Sequence, residues 1–171
     1  EEHIGAALKT LLPKHNLKRE DIFITSKLSP YDQGYEKAKA ALDATLSRLD
    51  LAYLDLYLIH WPGTSGVPLD NYETLSKNRE GSWKALEEAL AAGKVRSIGI
   101  SNYVVRHIKE MDKYAKVTPA VLQSEHHPYL DQREVREECK KRGIHYQAYS
   151  SLGTTTKHDE LMADPVLNRI A

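Results

Sequence analysis

Cysteine is nearly missing from this chain. Cys139 stands alone among 171 residues, which excludes an internal disulfide framework and suits a reducing compartment, so the expected location is cytoplasmic. Net charge is missing too: 24 Lys and Arg balance 24 Asp and Glu, so no excess of either sign points to nucleic acid or to a membrane surface. No apolar run approaches the ~20 residues of a membrane span, and the opening Glu1-Glu2-His3 is not a signal peptide. That opening has no methionine, so the chain is expected to begin after processing or inside a longer protein. Finally, no Gly-x-Gly-x-x-Gly and no Walker-type loop follows any apolar run, which counts against a doubly wound dinucleotide-binding fold and against a P-loop protein.

What remains is an ordinary globular composition, 41% hydrophobic and 28% charged, long enough for one domain with a substantial core. Its most informative stretch is Tyr53 to Pro62, an apolar run rich in Leu, Ile and Tyr that ends abruptly on His60. The run is short for a core helix and fits a parallel strand covered on both faces. Pro62 has no amide to donate to a ladder and Gly63 permits a turn, so His60 is expected at the carboxyl end of the strand, where α/β sheets place their ligands.

Other segments repeat this arrangement. Ile4, Ala7, Leu8, Leu11 and Leu12 mark a helix face ending near Pro13; Phe23 to Leu28 reads as a strand stopped by Ser29-Pro30. Ala38, Leu42, Leu46 and Leu49 give a second helix, and Thr64 to Lys77 reads as a polar loop, a candidate lid. Trp83, Leu86, Ala89 and Leu90 mark a helix closed by Gly93; Val95 to Ile100 is a strand closed by Ser101-Asn102; Val104, Val105, Ile108 and Met111 mark another helix. Ala120 to Gln123 is a strand. Asp131-Gln132-Arg133-Glu134 has the form of a capping box for a helix ended by Gly143, and Ile144 to Tyr149 is the last strand. A polar loop from Leu152 to Ala163 leads to Asp164-Pro165, an N-cap with proline at the first helical position.

Five strands alternating with helices, with nothing resembling a hairpin, predict a parallel sheet with right-handed crossovers. Each strand ends in polar groups: Lys27, His60, Ser101 with Asn102, Gln123 with Glu125, and Tyr149 with Ser150. A (β/α)8 TIM barrel gathers its chemistry on that face, so the expected fold class is α/β, with residues 1–171 forming a single partial barrel domain that supplies about five of the eight strands.

The segments Ile22 to Leu28, Leu51 to Gly63 with Leu-Ile-His-Trp-Pro, Gly93 to Tyr103 with Ile-Gly-Ile-Ser-Asn-Tyr, Leu122 to Leu130, and Gln147 to Gly153 with Ala-Tyr-Ser-Ser-Leu-Gly resemble the aldo-keto reductases, in family order and at family-like spacing. The resemblance implies reduction of an aldehyde or ketone, a small-molecule carbonyl substrate, and a nicotinamide cofactor, NADPH more than NAD, bound without a Rossmann domain. It implies that Lys27 and His60 belong to the catalytic set, Lys27 lowering the pKa of a proton-donating tyrosine and His60 orienting the carbonyl. It further implies that Ser101, Asn102 and Gln123 hold the nicotinamide carboxamide, that Tyr149 stacks on the ring, that Ser150 and Leu152 pass the pyrophosphate, and that Trp61 and Ser29 line the substrate pocket.

There are departures. The family pattern Asp-x-x-x-x-Tyr-x-Asn-Glu places its catalytic aspartate and tyrosine just upstream of Glu1, and the eighth strand with its 2′-phosphate site is not in this sequence. Ser29 stands where many relatives carry tryptophan, which implies a wider or more polar pocket wall. With three strands missing, the edge segments 23–28 and 144–150 would be bare, so the expectation is a monomer at full length and self-association, or complementation by other segments, for the isolated chain. Two further readings stay open: a non-catalytic or truncated member that binds cofactor or a partner, and an aldolase-like barrel in which Lys27 forms a Schiff base. His126-His127 carries no expected metal site, because adjacent residues of an extended chain point to opposite sides. Lys140-Lys141-Arg142 reads as a solvated last turn complementing the helix dipole.

Overall fold

The computed structural model describes residues 1–155 and 157–171. Helices and strands alternate: α1 (Glu2–Lys14), β1 (Thr25–Leu28), α2 (Tyr35–Leu49), β2 (Leu56–Ile59), α3 (Tyr72–Ala91), β3 (Ile98–Ser101), α4 (Val105–Glu110), β4 (Val121–Glu125), α5 (Arg133–Arg142), β5 (His145–Tyr149), α6 (His158–Met162) and α7 (Pro165–Ile170). The strands form one sheet in the order β1-β2-β3-β4-β5, every pairing parallel, as the absence of hairpin signals predicts. Among the described residues no strand pairs with the outer edge of β1 or of β5.

Alternation along each strand separates two faces. Register partners Leu28 and Ile59, Tyr57 and Ile98, Ile59 and Ile100, and Ile100 and Leu122 lie on the face covered by helices, where they join Leu42, Trp83, Leu86 and Ile108 in the core. The residues between them, including Lys27, Leu58, Gly99, Ser101, Gln123 and Tyr149, lie on the other face. There Leu58 is fully buried, and a Cβ added at Gly99 would stand 2.7 Å from its Cδ2 and 2.4 Å from the carbonyl oxygen of Val121. Only glycine lets the backbones approach this closely.

At the amino ends of the strands a closed ionic network ties the sheet together. Asp55 is buried and accepts from the Ile24 amide at 2.8 Å and from Arg19 at 2.7 Å, with Arg96 at 3.5 Å. The two guanidinium groups lie 4.2 and 4.0 Å from the Tyr53 ring centroid, so each has a carboxylate and an aromatic face to satisfy it. Burial opposes ionisation of Asp55, but the Ile24 amide and the Arg19 guanidinium outweigh it and hold its carboxyl below the ordinary range.

Several boundaries differ from the sequence expectation. The polar stretch 64–77 is not all loop: α3 begins at Tyr72, because the Asn71 side chain accepts from the Thr74 amide and Leu75 packs inward. Likewise α6 occupies part of the expected loop from Leu152 to Ala163, of which Thr156 lies outside the described residues. The capping box at Asp131 does not form; Gln132, left-handed at φ 52°, is the N-cap, and the Asp131 carboxylate instead pairs with Arg133 and Arg136. Arg142 is not simply solvated: it bonds Glu138 at 2.7 Å and reaches across to Asp112. The apolar face of α1 stays open, with Ile4 and Leu11 about half exposed, since α1 meets α2 backbone to backbone through Gly5, next to the Leu49 carbonyl. Asp164 caps α7 as expected, accepting from the Val166 and Leu167 amides at 2.8 and 2.9 Å.

Candidate active site

The carboxyl ends of the five strands form one rim, and the polar residues singled out from the sequence gather there. Lys27 is the third residue of β1, paired in register with Leu58; His60 is the residue after β2, its amide donating to the Leu28 carbonyl at 3.1 Å. The His60 ring is half-buried, and its pKa is lowered, first by that burial and then by the positive charge of Lys27. The imidazole is therefore neutral at pH 7 and offers one N–H and one lone pair. Lys27 makes no hydrogen bond or ion pair with the described residues in return, so its ammonium stands as uncompensated positive charge beside the histidine.

Asn102 holds the rim together. It adopts the left-handed conformation at φ 61°, which asparagine tolerates better than most residues, and this turns its amide back over the strand ends. Its Nδ2 donates to the His60 carbonyl at 2.9 Å and to Ser101 Oγ at 3.1 Å, and its Oδ1 accepts from the Tyr149 hydroxyl at 2.7 Å. Its backbone amide donates to the Gln123 carbonyl at 2.9 Å. One side chain and one amide thus link the ends of β2, β3, β4 and β5. Strain of this kind persists where its surroundings over-determine it, a frequent condition of functional sites. Ser150, closing β5, is also left-handed at φ 51°.

The remaining predicted residues lie at the strand ends or in the loops that follow them. Gln123 is half-buried and donates from Nε2 to Gln147 Oε1 at 2.8 Å, leaving its own Oε1 available; Ser101 is fully buried. Burial and the nearby Glu125 carboxylate push the Tyr149 pKa up, against the opposing bond to Asn102, so its hydroxyl stays protonated. Trp61 is 46% exposed, its ring centroid 6.1 Å from that of His60. Ser29 caps a short 3-10 turn at Pro30–Asp32, its Oγ accepting from the Tyr31 amide. Leu152 lies exposed on the turn beyond Ser150, and its carbonyl bonds His158 Nδ1 at 3.1 Å. His126 and His127 point apart, the first to the Tyr146 hydroxyl and the second, buried, toward Glu125 at 3.4 Å. Among the described residues no group of three or more His, Cys, Asp or Glu could hold a metal, and no helix is long and apolar enough to cross a membrane. The bracing role of Asn102 and the Gln123–Gln147 pair were not visible in the sequence, because both depend on which strand lies beside which.

Comparison with known proteins follows the same lines. The family model for the Aldo/keto reductase family matches residues 1–166. The chain belongs to this family. Glyoxal reductase of Bacillus subtilis is 43% identical over 171 residues, all of this chain and 55% of the relative. The crystal structure of an aldo-keto reductase from a Medee basin deep-sea metagenome library superposes with a TM-score of 0.84 at 36% identity, covering 99% of this chain and 57% of that one. A Bombyx mori aldo-keto reductase in complex with NADP gives a TM-score of 0.75 at 27% identity, over 87% of this chain and 48% of that one. The chain thus spans about half the length of the relatives it matches, and its five parallel strands follow part of the aldo-keto reductase (β/α)8 barrel.

Proposed function

We propose that the protein reduces aldehydes or ketones to alcohols with NADPH, and that residues 1–171 contribute one portion of a single cytoplasmic barrel domain to that reaction. The observation that carries this reading is the meeting, on one rim, of an ammonium at Lys27 that has no partner among the described residues and a neutral histidine at His60 whose backbone carbonyl is held by Asn102. Hydride transfer builds negative charge on the carbonyl oxygen, and fixed donors aimed at that charge are the largest single source of catalysis in such sites.

The donor set suits a nicotinamide cofactor. A carboxamide needs both donors and acceptors, and Ser101 Oγ, the free Oε1 of Gln123 and the second lone pair of Asn102 Oδ1 offer both at adjacent strand ends. Tyr149, tethered at its hydroxyl, presents a fixed ring against which a flat heterocycle can stack. When bound, the reduced nicotinamide supplies the hydride. His60 donates its N–H to the substrate oxygen and sets its orientation, while Lys27 stabilises the growing charge and, following the family resemblance, acidifies a proton-donating tyrosine contributed outside residues 1–171. Trp61 and Ser29 flank the substrate, and Ser150 and Leu152 lie where the pyrophosphate passes. The outer edges of β1 and β5, with which no strand among the described residues pairs, are where the rest of the barrel, or a complementing chain, pairs.

The test is oxidation of NADPH by the purified protein in the presence of 4-nitrobenzaldehyde, followed by its loss of absorbance, with Lys27→Met alongside. Turnover in the parent that falls by orders of magnitude in the variant supports the assignment. A parent that consumes no NADPH with any aldehyde rejects it, and borohydride trapping of aldehyde on Lys27 would mark a Schiff-base enzyme instead.

A further inference from the structure

The turn that carries Trp61 is held in an unusual way. Its three successive carbonyls are each gripped by a buried side chain from elsewhere in the fold: Gln33 Nε2 donates to the Trp61 carbonyl at 2.6 Å and to the Gly63 carbonyl at 2.7 Å, and Arg79 Nη1 donates to the Pro62 carbonyl at 3.0 Å. Gln33 is 3% and Arg79 5% exposed, although both residue types ordinarily lie at the surface. The rest of the Arg79 fork is committed to Glu110, Nε at 2.8 Å and Nη2 at 2.7 Å, so the guanidinium cannot swing away without breaking a buried ion pair. Gln33 spends its donors on the turn alone: its buried Oε1 has no hydrogen-bond partner among the described residues. A residue there only to fill space would be apolar, because an orphaned buried oxygen is a cost that an isosteric hydrocarbon avoids. A further bond, from the Ser65 amide to the Pro30 carbonyl at 2.9 Å, joins the loop after β2 to the loop after β1.

We propose that Gln33 and Arg79 are positioning residues that fix the Trp61–Gly63 turn and thereby select bulky, aromatic carbonyl substrates over small ones. This rests on the reductase reading above. The indole of Trp61 is 46% exposed beside His60, so it is the large apolar surface that a ring in the substrate meets next to that histidine. Its place is set by the backbone that Gln33 and Arg79 clamp. A loose turn leaves His60 and Lys27 where they are, since the β1–β2 pairing holds Lys27 and the bonds to Leu28 and Asn102 hold His60, but it spreads the indole over many positions and weakens its contact with a ring in the substrate.

Two variants of the full protein test this, Gln33→Met, which keeps volume and removes both donors, and Arg79→Lys, which keeps a charge for Glu110 and withdraws the fork from Pro62. For each, kcat and KM are measured with 4-nitrobenzaldehyde and with glyoxal, together with the NADPH dissociation constant and the acrylamide quenching of Trp61, taken as the fluorescence lost on Trp61→Phe. The expected result is a KM for the aromatic aldehyde raised tenfold or more, kcat with glyoxal and NADPH affinity within twofold of the parent, and faster quenching. Parent-like quenching, or equal loss of both substrates through kcat, would overturn the proposal and leave Gln33 and Arg79 as ordinary structural bonds. A parent without NADPH turnover would reject the reductase reading itself and substrate selection with it, and this is seen before any variant is compared.

Discussion

The two ends of the same five strands are built on opposite terms. At the amino end, Asp55, Arg19, Arg96 and Tyr53 satisfy one another, with the carboxylate almost fully buried and each guanidinium against an aromatic face. At the carboxyl end, Lys27 has no ion-pair partner among the described residues, His60 is kept neutral next to a positive charge, and Asn102 and Ser150 hold left-handed backbone. One end pairs its charges with one another; the other braces its neutral polar groups and leaves its ammonium without a counter-charge among the described residues. Charge that is paired stabilises, and charge that is left unpaired can act on something that arrives.

This contrast can be broken from either side. Lys27→Met removes the free charge: turnover should fall about 10³-fold, equivalent to about 4 kcal/mol of transition-state stabilisation, while the melting temperature stays put. A variant that melts early but turns over normally would reverse the contrast. Asp55→Asn is the mirror experiment. It leaves Arg19 buried without its carboxylate and should cost about 3 kcal/mol in urea denaturation, with kcat unchanged below the transition. Tyr149→Ala should weaken NADPH binding roughly tenfold through lost stacking, measured by fluorescence titration, with little change in kcat at saturation. Asp164→Ala should lower the melting temperature slightly through loss of the two amide bonds that cap α7, an effect smaller than that of Asp55→Asn.

The smallest effect sharpens the comparison through pH. Burial, helped by Arg79 and Arg106, pushes the His107 pKa down to about 4, whereas the unfolded chain titrates near the ordinary value of about 6.5. Between these values the unfolded state binds more protons, so stability is fully present above about pH 6.5 and declines as the pH falls toward 4. Since the ring is only partly buried, the loss should be on the order of 1 kcal/mol, and His107→Gln should flatten the urea midpoint between pH 6.5 and 4.5.

Much of this could be read from the chain. Alternating elements, the run ending on His60, the glycines at 93 and 143 and the Asp164-Pro165 start are local signals, and each stands where its own chemistry puts it: Gly93 and Gly143 at φ 73° and 69°, Asp164 with two amides on its carboxylate. Signals failed where a local preference met a stronger partner. Asp131 has the spacing of a capping box, but two arginines compete for its oxygens. Phe23 has strand propensity, yet the strand begins at Thr25 and the ring is left exposed, because the neighbouring Ile24 amide and carbonyl are drawn to the Asp55 region before regular pairing starts. Lys27, His60, Ser101, Gln123 and Tyr149 could be placed on one rim by counting along strands. The Asn102 brace and the carbonyl clamps of Gln33 and Arg79 could not, since their partners lie 17 to 47 residues away in sequence and a hydrogen bond leaves no trace in periodicity.

Gly99 and Leu58 lie one layer beneath Ser101 and His60, and the space between them is already taken, with no room for even a methyl group. This end of the sheet therefore has a hard, hydrocarbon floor. Its level is settled by the strands themselves, and variation at this rim has to be found sideways, in the loops that follow them.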